Sequence, residues 1–411
     1  MMIPYGYKQT EVGVIPEDWK CTTAKQLMKI ETGSRNTENK TNAGIYPFFV
    51  RSQKIESIDT YHYNCEAVLT AGDGVGTGKV FHYYIGKFDA HQRVYVMSGF
   101  NGISGRYFYY YFSENFEKEV SKYTAKSSVD SVRHDMIAEM KIPLPPLPEQ
   151  QRIAEALSDV DGMISSLEKL IAKYKSIKTA CLQQMFPQNG ETVPRMRLPG
   201  FTGAWEQRKF DEVFDCTVPN NTLSRAELSY DEGTVLNVHY GDVLIKYGSV
   251  LDVQKDDIPR IPHRCREDFN EALLQDGDVI IADTAEDETT GKACEIGNLQ
   301  GSAIVSGLHT MVCRPRNRMA LGYLGYYLNS NAYHHQLLPL MQGIKVLSLS
   351  RSNIQKTSVS YPIAVKEQQL IAYYFSQLDN LITLHQRKLE KIQKIKQGMM
   401  QQLLTGKIRL V

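Results

Sequence analysis

The sequence lacks several features that would assign it to common classes of protein. No stretch reaches the roughly 20 apolar residues that a helix needs to cross a bilayer, and the start MMIPYGYKQTEVG has neither the basic nor the apolar region of a signal peptide. The two signs of charge nearly cancel, with 47 Lys and Arg against 46 Asp and Glu. We therefore expect a cytoplasmic protein with no membrane partner, in which any contact with nucleic acid would depend on local basic patches.

Cysteine is present, but not in the patterns that bind zinc or form a disulfide framework. The number of cysteines is odd and none belongs to a CxxC pair. The seven positions are Cys21, Cys65, Cys181, Cys216, Cys265, Cys294 and Cys313. This distribution is typical of free thiols in a reducing compartment.

Motifs for catalysis are also missing. The stretch AGDGVGTGKV resembles a phosphate-binding loop, but the interval from Gly72 to Gly78 is one residue too long for GxxxxGK[ST], and Val80 stands where Ser or Thr would bind magnesium. No Asn-Pro-Pro-Tyr-type motif for amino-methylation and no convincing nuclease cluster is found. The run ADTAEDETTG could hold a metal, but such a run is more often a solvated loop; its carboxylates include Asp283, Glu286 and Asp287. We therefore predict no catalytic residue, metal or cofactor on this chain.

One long helical pattern occurs twice. The stretch EQQRIAEALSDVDGMI begins at Glu149, and EQQLIAYYFSQLDNLI begins at Glu367, 218 residues later. Alternating steps of four and three residues meet nine apolar positions of ten from Ile153 and eight of ten from Ile371. This spacing is the 3.5-residue seam of a coiled coil. The predicted seam residues are Ile153, Leu157, Val160, Ile164, Leu167, Ile171, Ile371, Phe375, Leu378, Ile382, Leu389 and Ile392.

The two helices, predicted over residues 149–186 and 366–405, are expected to pair with each other. Each could instead be buried separately in its own domain, but the shared seam and equal length favour mutual pairing. About 37 residues at about 1.5 Å each give a rod of about 55 Å. Because long segments intervene, an antiparallel pair is the easiest geometry. Lys178, His385 and Lys396 interrupt the seam, where polar residues cost stability but can fix the register.

The remaining sequence is expected to form two similar domains, residues 1–148 and 187–365. Both alternate strand-like runs with turns, and both open near a tryptophan, Trp19 or Trp205. The stretch PQNGETVPRMRLPG reads as the linker before the second domain. The predicted fold class is α+β, with two α+β domains separated by two long helices that form an antiparallel coiled coil. The result is a pseudo-two-fold internal repeat followed by a C-terminal tail of residues 406–411.

In combination, these segments resemble the specificity subunit of type I DNA restriction-modification enzymes. The resemblance covers almost the whole chain, although SYPIAVKEQQ lacks the double proline that precedes the first helix. It is carried by YKQTEVGVIPEDWK, IPLPPLPEQQRIAEAL, MFPQ, RLPGFTGAWEQRKF, KEQQLIAYYFSQLDNLI and QQLLTGKIRL.

The resemblance implies a division of labour between this chain and its partners. Each domain would be a target-recognition domain that reads one half of a bipartite sequence in double-stranded DNA. The helices would set the spacing between the half-sites and dock two methyltransferase subunits, and restriction subunits would join that complex. Methylation and cleavage would be carried out by these partners, with S-adenosylmethionine, ATP and Mg on the partner subunits and none on this non-catalytic chain.

Candidate DNA contacts are side chains that can bond to base edges or phosphates from loops. The candidates in the first domain are Arg51, Gln53, Lys54, Lys79, His91, Gln92, Arg93 and Ser128. Those in the second domain are Lys246, Tyr247, Arg260, His263, Arg264, Arg266, Lys292, His309, Lys345 and Arg351. The RIPHRCR cluster is the strongest, because its basic groups repel each other unless an anion or acidic neighbours lie near. The repeated Thr-Gly-Lys at Lys79 and Lys292 suggests that both domains use this loop alike. For any single candidate, a solvated surface charge is an equal alternative.

Two other functions remain open from the residues alone. The chain could be a stand-alone DNA-modifying enzyme, in which case it would methylate DNA without an added partner. It could also be a coiled-coil scaffold with protein-binding domains, in which case neither domain would have a basic face. The resemblance favours the DNA-recognition subunit over both.

Overall fold

Residues 3–74, 76–123, 131–188 and 190–411 are described by a computed structural model. The chain forms two compact units: unit 1 contains residues 1–168 and 387–411, and unit 2 contains residues 169–386. Each unit therefore includes part of each long helix. Among the described residues, no helix combines the length and the apolar character needed to span a membrane.

The elements of unit 1 are a set of strands and short helices that precede a long helix. The strands are β1 (Tyr7–Thr10), β2 (Gly13–Pro16), β3 (Lys20–Thr23), β4 (Lys29–Thr32), β5 (Tyr46–Phe49), β6 (Glu56–Ile58), β7 (Tyr63–Ala71), β8 (Phe81–Ala90), β9 (Val94–Ser98) and β10 (Lys141–Leu144). The helices are α1 (Ala24–Leu27), α2 (Gly105–Ser121), α3 (His134–Ala138) and the long α4 (Leu147–Gln184).

A six-stranded sheet with the order β4-β9-β7-β8-β5-β6 organises unit 1. Its pairs are antiparallel except for β5 with β8, which is parallel. Helix α2 packs its aromatic face on this sheet, where the rings of Phe81 and Phe112 meet edge to face with centroids 5.4 Å apart. The apolar core of the unit thus lies between α2 and the sheet, and the loops at the strand ends remain accessible.

Unit 2 follows a related plan with shorter elements. The strands are β11 (Glu206–Lys209), β12 (Phe214–Asp215), β13 (Val235–Val238), β14 (Val250–Asp252), β15 (Arg260–Ile261), β16 (Val279–Ala282), β17 (Thr284–Ala285), β18 (Ala293–Gly297), β19 (Ala303–Ser306), β20 (Thr310–Pro315), β21 (Leu347–Ser348) and β22 (Ser358–Tyr361). The helices are α5 (Phe210–Val213), α6 (Tyr240–Ile245), α7 (Tyr323–Leu328), α8 (Asn331–His334), α9 (Arg351–Ile354) and the long α10 (Val365–Leu403).

The central strands of the two units correspond to each other. In unit 1, β7 is flanked by antiparallel β8 and β9, and in unit 2, β16 is flanked by antiparallel β18 and β20. The five-stranded sheet of unit 2 has the order β12-β20-β16-β18-β14, and a three-stranded sheet has the order β15-β13-β19. Both units are mixed α and β, as the sequence predicts.

The long helices α4 and α10 begin and end within two residues of the predicted bounds. In unit 2 they run antiparallel, because Tyr174 stacks on His385 with ring centroids 5.7 Å apart while Lys178 pairs with Asp379 at 2.6 Å. In unit 1, Lys396 pairs with Asp161 at 2.7 Å. The predicted seam residues are buried except for three that are half-buried, which are Ile164, Leu389 and Ile392.

The two seam lysines occupy equivalent positions, 218 residues apart, and make the same contacts. Asp161, the partner of Lys396, also accepts a 2.7 Å hydrogen bond from the Tyr110 hydroxyl. Asp379, the partner of Lys178, accepts one of 2.9 Å from the Tyr326 hydroxyl. Each of the two seam lysines therefore meets one carboxylate, which a tyrosine hydroxyl also holds in place, and this supports a role of the lysines in fixing the register.

Replacing Lys396 with leucine is expected to loosen this register rather than to unfold the chain. The side chain of Lys396 is 27% exposed and that of Asp161 is 36% exposed, so the lost ion pair is worth about 1 kcal/mol or less. The added apolar group permits alternative pairings, so we expect a shift in oligomeric state by light scattering. A variant with the mass and melting curve of the parent would remove the register role.

Buried Glu295 on β18 makes the stability of unit 2 depend on pH. Burial raises the pKa of Glu295 to about 7, although its carboxylate accepts a 2.8 Å hydrogen bond from the Gly325 amide. The folded chain then holds a proton that the unfolded chain has released, so stability is lost as the pH rises from about 4.5 to about 7.

Replacing Glu295 with glutamine is expected to remove this loss. Between pH 5 and pH 8, the free energy of unfolding of the variant should rise relative to that of the parent by about 2 to 3 kcal/mol. Denaturant titrations of both proteins at several pH values measure the difference. A difference that stays constant with pH would show that the carboxyl is not titrating in this range.

Candidate nucleic-acid interface

Three loops of unit 1 converge where β7 ends and β9 begins. The amide of Gly72 donates to the carbonyl oxygen of Arg93 at 2.7 Å, and the amide of Val132 donates to the carbonyl oxygen of Gly72 at 2.7 Å. A Cβ at Gly76 would lie 2.5 Å from the carbonyl oxygen of Arg51, so only glycine allows this loop to close against the loop after β5. Gly72 and Gly76 of AGDGVGTGKV therefore serve loop packing.

Asp73 joins two of the predicted DNA contacts at this convergence. Its carboxylate lies 2.8 Å from Nη1 of Arg51 and 3.5 Å from Nη1 of Arg93. The arginine side chains are 45% and 62% exposed, so each guanidinium keeps donors available to a ligand. The arrangement places two forked donors and one acceptor on adjacent loops, which are the groups that read guanine and cytosine edges.

Unit 2 repeats the same loop connections with different side chains. The amide of Asp283, which follows β16, donates to the carbonyl oxygen of His309 at 3.1 Å, and the amide of Leu349 donates to that of Asp283 at 2.8 Å. The carboxylate of Asp283 lies 3.5 Å from Nδ1 of His309. Lys345 and Arg351, both exposed, flank this point on either side of Leu349. An acidic and a basic side chain thus meet at the equivalent place in both units.

The other candidates of unit 1 differ in accessibility. Gln53, Lys54, Lys79 and Gln92 are exposed, and Lys54 lies 3.2 Å from Glu56. His91 is 5% exposed, and its Nδ1 accepts a hydrogen bond from the Arg93 amide at 3.0 Å. Burial lowers the pKa of His91, so the ring braces the loop as a neutral imidazole. We therefore no longer expect His91 to contact DNA, and Ser128 lies outside the described residues.

Two candidates of unit 2 are held inside the unit, and a third is paired with a carboxylate at its surface. The Lys292 ammonium donates to the carbonyl oxygens of Leu244 at 2.8 Å and Tyr247 at 3.2 Å, and burial lowers its pKa. The Tyr247 ring is buried. Lys246 pairs with Asp257 at 2.8 Å. Lys292 and Tyr247 are thus structural rather than DNA contacts. The expectation that the two Thr-Gly-Lys sequences act alike is wrong, because Lys79 is exposed whereas Lys292 turns inward.

The RIPHRCR cluster, residues 260–266, and the converging loops of unit 2 lie at opposite ends of the three-stranded sheet β15-β13-β19. Strand β15 is antiparallel to β13, so the residues after Ile261 run back toward the start of β13. There the Arg264 carbonyl oxygen accepts from Thr234 at 3.5 Å, and Arg266 donates to Gly301 at 3.1 Å. His309 follows the end of β19, which is parallel to β13. At about 3.3 Å per residue, roughly 10 to 13 Å separates the two ends.

This position makes the cluster a weaker candidate for reading bases than its composition suggests. Acidic neighbours are present, because Glu267 and Asp268 are exposed beside it. The Cys265 amide lowers the pKa of Asp268, and the charge of Arg264 lowers it further. Arg260 and His263 are exposed as well. The cluster can still hold phosphates away from the base-reading loops.

Replacing Arg264 with alanine is expected to weaken binding of every DNA sequence equally. The loss of one phosphate contact lowers the slope of log affinity against log salt by about 1, which anisotropy titrations at several salt concentrations measure. A loss of 1 to 3 kcal/mol for only one sequence would instead place Arg264 on a base edge. An unchanged affinity and slope would exclude Arg264 from the interface.

Asp73 is the residue of this site that the sequence analysis missed. A carboxylate in a glycine-rich loop does not by itself indicate a DNA contact, because most DNA contacts come from basic and amide side chains. Its signal in the sequence is its position two residues after the end of the long strand β7, where side chains reach a sheet edge. In the described parts of the chain, no group of three His, Cys, Asp or Glu side chains is arranged to hold a metal ion.

Comparisons with known proteins agree on one family. The family model described as the type I restriction modification DNA specificity domain matches residues 16–177 and 203–394. A putative type I restriction enzyme MjaX specificity subunit from Methanocaldococcus jannaschii is 25% identical over 98% of this chain and 97% of its own length. The type I restriction enzyme EcoDI specificity subunit from Escherichia coli is 28% identical over 49% of this chain and 50% of its own length.

A solved structure has the same fold. The S subunit of a type I restriction-modification system from M. genitalium superimposes with a TM-score of 0.61 at 14% sequence identity, over 94% of this chain and 96% of that one. A second, from work on complex assembly and conformational transition of the type I R-M system, gives a TM-score of 0.54 over 96% of this chain and 99% of its own. At this identity the likeness concerns the fold alone.

Proposed function

Because the chain belongs to the type I restriction modification DNA specificity family, with two specificity domains, we propose that each unit reads one half of a bipartite DNA sequence. The converging loops of unit 1 would contact one half-site and those of unit 2 the other. The paired helices α4 and α10 would set the number of base pairs between the half-sites. The chain would contribute recognition without catalysis.

The observation that carries this proposal is the repeated loop connection in the two units. Gly72 and Asp283 make the same two backbone hydrogen bonds, one on each side, and present different side chains around them. Arginines surround Asp73 in unit 1, whereas His309 faces Asp283 in unit 2. A backbone arrangement that is repeated in both units but presents different donors and acceptors is what two different half-sites require.

The partners follow from the same proposal. Two methyltransferase subunits would bind the paired helices and carry S-adenosylmethionine, and restriction subunits would carry ATP and Mg. A formal charge of +1 gives this chain little long-range attraction for DNA. Much of the affinity would therefore come from the methyltransferases that enclose the duplex. The complex would act in the cytoplasm, where the DNA is.

Mapping of methylated bases tests this function. A host without its own modification system is given the chain, its methyltransferase, or both. Methylation of one bipartite sequence only when both are present is the expected result. Methylation by the chain alone would make it an enzyme, and methylation of an undivided sequence would contradict a reader with two units.

A further inference from the structure

A hairpin next to the converging loops of unit 2 carries apolar side chains at its tip. The side chain of Ile344 is 99% exposed and that of Val346 is 50% exposed, and exposed Lys345 stands between them. A single exposed apolar residue is common on protein surfaces. Two β-branched residues stand exposed at the tip of one hairpin with a cation between them. At this exposure they contribute little to the apolar core of the unit.

The backbone of this hairpin is firmly held. Gln342 and Ser348 exchange two hydrogen bonds of 3.0 and 2.8 Å between their amides and carbonyl oxygens. Gly343 has a φ of 126°, and a Cβ there would lie 1.9 Å from the carbonyl oxygen of Val346, so the turn can close only with glycine. The tip is thus braced, and its apolar groups are presented in a defined position.

The hairpin is joined directly to the proposed DNA-contacting loops. Its second strand, β21, pairs with β17, with Thr284 opposite Ser348 and Ala285 opposite Leu347. Thr284 follows Asp283, whose carboxylate faces His309. Asp283 lies opposite Leu349 in the same pairing, so the tip begins about three residues, roughly 10 Å, farther along the hairpin from the Asp283–His309 pair.

We infer that Ile344 makes apolar contact with DNA bases in the half-site read by unit 2. This inference rests on the proposed function and adds a specificity-determining residue to it. An aliphatic side chain contacts base pairs in two known ways, through the methyl group of thymine in the major groove or as a wedge between base steps. Lys345 would hold a neighbouring phosphate. The hairpin would then read a base that polar side chains alone distinguish poorly.

The test compares the Ile344→Ala variant with the parent in the full complex with the methyltransferase. The probe is the duplex that methylation mapping identifies for the parent, with each base pair of the second half-site changed in turn. The variant should lose discrimination about tenfold at one A·T position or one base step. Its recognition of the first half-site and its spacer length should be those of the parent. The control is Ile45→Ala, an 80% exposed isoleucine at the end of β5 away from Arg51, which should leave both half-sites unchanged.

Two modified probes distinguish the two kinds of apolar contact. If the methyl group is read, deoxyuridine in place of the critical thymine should weaken DNA binding by the parent about tenfold and binding by the variant hardly at all. Increased 2-aminopurine fluorescence on binding of the parent, lost in the variant, would indicate a wedge. Either result supports the inference. A variant that discriminates every position like the parent would overturn it, whereas a parent complex without a bipartite target would reject the proposed function itself.

Discussion

Replacement of Glu367 with alanine is expected to lower the free energy of unfolding by about 3 to 5 kcal/mol. Glu367 is 1% exposed and accepts hydrogen bonds from Nε and Nη2 of Arg197 at 2.7 and 2.9 Å. The arginine side chain is only 14% exposed, so removal of the carboxylate leaves a largely buried cation without its counter-ion. Denaturant unfolding followed by circular dichroism measures the loss.

A second glutamate of unit 2 provides the control for this prediction. Glu206 pairs with Arg208, whose side chain is 53% exposed, and Glu206→Ala should cost far less than Glu367→Ala because water screens the exposed pair. The double variant Arg197→Ala/Glu367→Ala should be less destabilised than the sum of the single variants, because neither charge is then left alone. Equal effects of Glu367→Ala and Glu206→Ala would mean that the buried pair does not hold the start of α10.

The equivalent glutamate in unit 1 shows that the repeat extends to this contact. Glu149 is 2% exposed and accepts from Nε and Nη2 of Arg409 at 2.7 and 2.8 Å. The neighbouring glutamines are also equivalent, because Gln150 accepts from the Ser104 amide at 2.8 Å and Gln368 accepts from the Ala320 amide at 2.9 Å. The repeated Glu-Gln thus anchors the start of α4 in unit 1 and the start of α10 in unit 2.

The double variant Arg51→Ala/Arg93→Ala is expected to weaken binding of the target duplex by about 100-fold or more. Both guanidiniums converge on Asp73, and a side chain that reads a base is worth about 1 to 3 kcal/mol. The loss should be largest for the correct sequence and small for unrelated DNA. Fluorescence anisotropy of the complex at fixed salt measures both affinities.

The control for this variant removes the same charge elsewhere in unit 1. Lys25 and Lys29 are exposed and pair with Glu139 and Glu31. Lys29 lies opposite Ser98, at the end of β9 away from Arg93. Lys25→Ala/Lys29→Ala should therefore change specific binding much less. Equal losses in the two double variants would mean that net charge, and not the converging loops, determines affinity.

The sequence predicted the long helices well because their signal is local and periodic. The seam from Ile153 and the seam from Ile371 each extend over most of a long helix, so few alternative structures fit them. The polar interruptions at Lys178 and Lys396 also proved informative, since each meets a carboxylate on the other helix.

The loops were predicted less well because their geometry depends on strand pairing that the sequence does not state. Arg264 and His309 both looked like DNA contacts, but the antiparallel pairing of β15 places them at opposite ends of a sheet. The same Thr-Gly-Lys leaves Lys79 exposed and directs Lys292 onto backbone carbonyl oxygens. Residue type alone could not distinguish these outcomes.

Methylation mapping of unit-specific variants tests the central claim most directly. The parent, Arg51→Ala/Arg93→Ala and Asp283→Ala/His309→Ala are each placed in a host with the methyltransferase. The two-reader account predicts that the first variant alters only one half of the recognised sequence and the second only the other half, with the same spacer throughout. A variant that changes both halves together, or neither, would contradict the assignment of one half-site to each unit.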